Sequence, residues 1–210
     1  MLALCAGAYG EDTPATMTML TVKLESPEIP KESFAAQPKR IYRSGSRYCR
    51  LEENPDLEHG IHGLLIMNEP DSWLINRLDK TAKHMLDPGP TFNCRMPMFA
   101  DAQGIKSTED LKQPLIQLEF GRELEFFHAG SGAAEPGPVL QGKKTMAYRV
   151  QLGDSQLVLF TSGDPEAPVA VVRKSDKTRE IYWYGEYIQQ PFDAKLFAKP
   201  EGVKVEEMQP

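Results

Sequence analysis

Apolar and polar positions alternate in short runs along most of this chain, with a period of two. Such alternation marks strands that bury one face and wet the other. Met17 to Leu24 predicts a strand with Leu20, Val22 and Leu24 on one face. Pro27, Pro30 and Pro38 then punctuate a polar linker. Arg40 to Arg43 and Arg47 to Glu52 predict two strands around the turn Ser44-Gly45-Ser46. Here Ile41, Cys49 and Leu51 alternate with charge, as in a half-solvated antiparallel sheet. Ile61 to Met67 predicts a more buried strand, and Asn68-Glu69-Pro70-Asp71 a turn. Ser72 to Arg77, the tight turn Leu78-Asp79-Lys80 and Thr81 to Leu86 follow. Short strands joined by tight turns predict a β-meander.

The period changes once. Ser107-Thr108-Glu109-Asp110 has the form of a capping box. Pro114 suits the first turn of a second helix, because it cannot donate in a helix interior. From there Ile116, Phe120, Leu124 and Phe127 fall three to four apart, and Gly130 reads as a stop. Ile116, Leu118 and Phe120 also alternate with period two, so part of this stretch stays open as strand. Ala129 to Gly142 reads as Gly/Pro-rich loop. Strands resume at Thr145 to Gln151, Gln156 to Thr161, Val169 to Arg173 and Arg179 to Gln189. In the last, Ile181, Trp183 and Tyr187 are expected on one face, and Tyr182, Tyr184 and Ile188 on the other. Val203 to Met208 predicts a short edge strand. The expected fold is mostly β, with about ten antiparallel strands and one helical insertion. A curved antiparallel sheet wrapped around a helix is the simple way to bury both.

Composition narrows the setting. The chain has 210 residues, enough for one domain with its own core. Lys and Arg number 24 against 30 Asp and Glu, a net charge of −6, so no basic excess exists to neutralise nucleic-acid phosphates. No apolar run approaches the roughly 20 residues of a membrane-spanning helix. Ala6-Gly7-Ala8 fits a signal-peptidase site, so residues 1–8 are expected to be a signal remnant and 9–210 one domain. An ordinary frayed terminus is the alternative. If Cys5 leaves with the signal, Cys49 and Cys94 remain as an even pair. A bridge between them in an oxidising compartment would stabilise the fold by roughly 4 kcal/mol. Two separate buried thiols are the other reading.

Catalytic patterns are not found. Gly130-Ser131-Gly132 is no nucleophile elbow, and no phosphate-cradling glycine pattern stands in usable context. His59, His62 and His84 do not reach the three or four convergent donors a metal needs. Glu119, Glu123 and Glu125 read as a solvated helix face. Methionines and aromatics are plentiful, and serve either a core or an adaptable apolar cavity. No metal, cofactor or enzyme chemistry is expected.

Two segments carry a resemblance. Ile66 to Asn76, continuing through Lys80-Thr81-Ala82-Lys83 to Asp87-Pro88-Gly89-Pro90, resembles the hairpin of LolA-like periplasmic proteins. The tail Pro191-Phe192-Asp193 through Leu196-Phe197 to Pro200-Glu201-Gly202 is similar to the ending of proteins that look like outer-membrane lipoprotein-sorting factors. Together they cover under a quarter of the chain. The resemblance implies an unclosed half-barrel around a helix, with an apolar cavity between them for acyl chains. It implies a periplasmic carrier or sensor of lipid or lipoprotein, not an enzyme. Trp73, Phe120, Leu124, Phe127 and Trp183 are the expected lining residues. The alternative is an envelope protein-interaction module without a small ligand, its supposed cavity being its core.

Overall fold

The computed structural model describes residues 13–86, 98, 117–176 and 178–208. Twelve strands and one α-helix appear among them. The first six strands are β1 (Thr16–Glu25), β2 (Lys39–Ser44), β3 (Tyr48–Glu53), β4 (Gly63–Asn68), β5 (Asp71–Asn76) and β6 (Thr81–Leu86). Then comes α1 (Glu123–Gly130). The remaining strands are β7 (Glu135–Leu140), β8 (Lys143–Leu152), β9 (Ser155–Ser162), β10 (Ala167–Lys174), β11 (Arg179–Pro191) and β12 (Lys204–Glu207). They form one unclosed curved sheet, in the order β12-β6-β5-β4-β3-β2-β1-β11-β10-β9-β8-β7. All pairs are antiparallel except β12 on β6. Sequential strands pair because short turns leave them side by side. The long β11 closes against β1, which joins the two halves of the chain.

The sheet has an inner face toward α1 and an outer face. Leu20, Val22, Ile41, Leu51, Met67, Val150, Leu157, Leu159 and Val171 point inward onto Leu118, Phe126 and Phe127. α1 packs mainly on β8 and β10. Two smaller apolar clusters sit outside. One joins Leu64, Ile66, Trp73, Ile75 and Ala82 to Val203 and Val205. The other joins Ala147, Val158, Ala170, Val172 and Ile181 to Leu140, Phe160 and Trp183. Both outer clusters are covered by edge or tail segments, which is how an open sheet keeps two faces dry.

Several expectations need correction. α1 begins at Glu123, not near Pro114. Residues 117–122 are not helical, and Gly121 turns the chain at φ +79° into the helix. Gly130 does end it. The capping box at Ser107 and Pro114 itself lie outside the described residues, as do residues 1–8 and Cys94. Cys49 is buried in the inner core. Within the expected loop 129–142 the edge strand β7 forms despite Pro136 and Pro138, which an edge tolerates. In β11 the faces also differ from simple alternation. Tyr187 joins Tyr182 and Tyr184 on the inner cluster. The register shows why: Leu20 faces Tyr187 and Val22 faces Tyr184, so β11 carries one extra residue there. Thr21 Oγ1 accepts the loosened N–H of Glu186 at 2.9 Å. A Cβ on Gly185 would stand 2.7 Å from that same oxygen.

Candidate functional site

The inner face brings together three of the five expected lining residues. Phe127 is fully buried on α1, Phe120 lies in the turn before it, and Leu124 is half-buried on the helix. Phe120 meets Tyr182 edge to face at 5.2 Å. Trp73 and Trp183 are not with them. Both point to the outer face, because they alternate with inner-facing neighbours. Trp183 Nε1 donates to Glu25 at 2.8 Å and borders an outer hollow of about 370 Å³, with Lys23 and Ile29.

Beneath the helix lies a polar cluster that the sequence reading placed in solvent. Arg43, expected on a half-solvated strand, is 2% exposed. Its Nε donates to the Gly45 carbonyl at 2.8 Å, and its guanidinium pairs with Glu119. Glu119 and Glu123 are 2% and 0% exposed, so only Glu125 of the three glutamates occupies a solvated face. The late start of α1 explains the difference. Glu119 precedes the helix and reaches across to β2, while Glu123 opens it and folds back. Glu123 Oε1 accepts from the Gly121 N–H and the Tyr184 hydroxyl, each at 2.7 Å. Its Oε2 has no hydrogen-bond partner among the described residues. Burial pushes the Glu123 carboxyl up to about 7, against the hydrogen bonds from Tyr184 and Gly121. Burial and the nearby Glu123 charge push Tyr187 up as well. Gly121 completes the packing: a Cβ there would lie 2.7 Å from the Arg43 Cβ. The cluster fixes the helix to the sheet and is sealed from solvent. The sole sequence hint was a glycine before a glutamate-rich turn.

The inner face continues beyond the helix. Leu65 faces Leu74, and Met67 faces Ser72, which in turn faces Met85. Leu65 packs on the core, but Leu74 is 58% and Met85 48% exposed. Beside them lies a groove of about 390 Å³ bordered by Ile61, Leu74, Asn76, Lys83, Lys204 and Glu206. Its lining mixes apolar Ile61, Leu74, Ile75 and Ala82 with charged Glu53, Lys83, Lys204 and Glu206. Among the described residues, no group of three or more His, Cys, Asp or Glu is arranged to hold a metal. Nor is any described helix long and apolar enough to cross a membrane.

Fold and site define a class: an open half-barrel with an apolar inner face partly closed by a helix. No protein-family model matches the chain, and no curated protein matches it either. Among solved structures, an uncharacterised conserved protein from Thermus thermophilus superposes with a TM-score of 0.50 at 14% identity. That match covers 92% of this chain and 91% of the other, and shows the shared fold. PNGF-II is similar at a TM-score of 0.39 and 8% identity, covering 92% of this chain. This chain spans only 32% of that protein's length. The LolA superfamily protein NE2245 from Nitrosomonas europaea matches at a TM-score of 0.35 and 10% identity, covering 88% of this chain and 90% of the other. The latter two likenesses are too distant to build on.

Proposed function

We propose that this chain is an exported, LolA-like binding protein that holds an acyl chain of a lipid or lipidated ligand against its inner face. The observation that carries the reading is the continuation of that face past the helix, where Leu74 lines the groove and both Leu74 and Met85 stay exposed. Each buried methylene would contribute about 0.8 kcal/mol, so an acyl chain needs no more than such a face and a few polar contacts. Binding of this kind requires no catalytic group, and the protein acts as carrier or sensor rather than enzyme. In this reading Leu74 and Ile61 meet the acyl chain in the groove, and Leu65 and Met85 extend the same apolar face toward Phe120 and Leu124.

The test is native mass spectrometry of gently purified protein, followed by lipid extraction. The expected result is a bound mass that resolves into acyl species and is lost in the double variant L74D/M85D, with circular dichroism unchanged. A bare protein mass in wild type, repeated with and without mild detergent, overturns it. One observation favours a second reading, a protein-interaction module: Leu118, Phe126 and Phe127 are fully buried, as in an ordinary filled core. A bare mass together with one specific crosslinked partner would support that alternative.

A further inference from the structure

His84 lies on the outer face of β6, between two carboxylates from different strands. Its Nε2 is 2.8 Å from Asp71 Oδ1 on β5, and its Nδ1 is 2.5 Å from Glu207 Oε2 on β12. Trp73 stacks on the ring at 5.2 Å, with planes 13° apart. A neutral imidazole has one N–H and one lone pair. With an acceptor oxygen at each nitrogen, a neutral ring would aim its lone pair at a carboxylate. Only the imidazolium, with two N–H donors, satisfies both contacts at once.

The two contacts are unequal. Asp71 is anchored in a paired hairpin, whereas Glu207 is 70% exposed near the end of the four-residue β12. β12 is a four-residue edge strand that pairs only with β6, from Lys204↔Thr81 to Glu207↔His84, and two bonds frame that pairing. Lys204 N–H donates to the Lys80 carbonyl and Met208 N–H to the His84 carbonyl, both at 2.8 Å. Val205 rests on the Trp73 cluster. When His84 loses its proton, the Glu207 contact is the one that gives way.

We propose that β12 is a proton-operated latch on the edge of β6, shut while His84 is an imidazolium and loosened once it is neutral. Asp71 from β5 and Glu207 from β12 are the charged groups that act on it. Burial works against the ring's charge, but hydrogen bonds and attraction from these two outweigh it and raise His84 above ordinary histidine. The latch therefore holds below the ring's raised midpoint and loosens above it.

The test pairs imidazole NMR with amide hydrogen exchange corrected for intrinsic pH dependence. His84 is expected to titrate above the usual 6.5 of histidine. Protection of the Lys204 and Met208 amides should fall at least tenfold across that midpoint, while Leu20 and Val22 keep theirs. E207Q, at an exposed position, should show low protection of Lys204 and Met208 at every pH, with the core amides unaffected. H84Q should make β12 protection independent of pH. The proposal is overturned if β12 protection in wild type is flat across the His84 titration. It is equally overturned if E207Q keeps wild-type protection, or if His84 titrates at or below 6.5.

Discussion

A carboxyl shut away from water resists ionisation, and Glu123 is shut away between helix and sheet. Its folded value of about 7 lies above the 4.5 expected in an unfolded chain. The folded state therefore binds the extra proton between those values, so stability falls as pH rises from about 4.5 to about 7 and then levels off. The loss is on the order of 3 kcal/mol. E123Q, which cannot ionise, should match wild type near pH 5 and exceed it at pH 8 in urea melts. Arg43 and Glu119 call for the opposite treatment. R43M removes the guanidinium paired with the buried Glu119 carboxylate, leaves it only Arg122 at 3.9 Å, and should destabilise by about 3 kcal/mol. The double variant R43M/E119L should regain most of that loss, because an apolar pair needs no compensation. Chemical denaturation of the two single variants and the double completes the cycle.

At the scale of elements, the decisive device is the extra residue in β11. It turns Tyr187 inward, and Thr21 supports it from β1. T21V keeps the shape of the side chain but drops the acceptor for the Glu186 N–H. We expect a loss of about 1–2 kcal/mol, with the amides of Glu186 and Tyr187 exchanging faster than those of Tyr182. The same device marks where sequence reading succeeds and fails. Strands β2 to β6 were legible, because their alternation and turns are local. The faces of β11 were not, because the residue that stabilises the bulge lies 165 positions away. β7 was hidden by prolines that an interior strand would not accept. The true start of α1 was hidden by Gly121, whose role depends on Arg43 packing beneath it. The same distance problem concealed the polar cluster: Arg43 and Glu119 are 76 residues apart, and each alone reads as surface. The outward aim of Trp73 and Trp183 was recoverable from alternation with inner-facing neighbours, but large side chains on both faces obscured which face was inner.

Above about pH 5, where ordinary carboxyls are already ionised, Glu123 and His84 act on the whole molecule in one direction. Glu123 disfavours the fold as pH rises toward 7, and the His84 contribution is complete below 6.5 and fades as pH climbs through its raised folded value. Thermal midpoints should therefore decline from pH 5 to pH 9, and E123Q should remove the early part of that decline while leaving the late part. An open sheet also has two ends, and they are not equivalent. At one end β7 carries Pro136 and Pro138, which have no N–H to offer an incoming strand. At the other end β12 occupies the place where a strand would add to β6. Deleting residues 204–208 would uncover one adhesive end and leave the other blunt. Two such molecules can join edge to edge, but a third has nowhere to attach. The shortened chain should appear in light scattering as a dimer that does not grow into fibres, so the prolines of β7 act as a terminator for polymerisation.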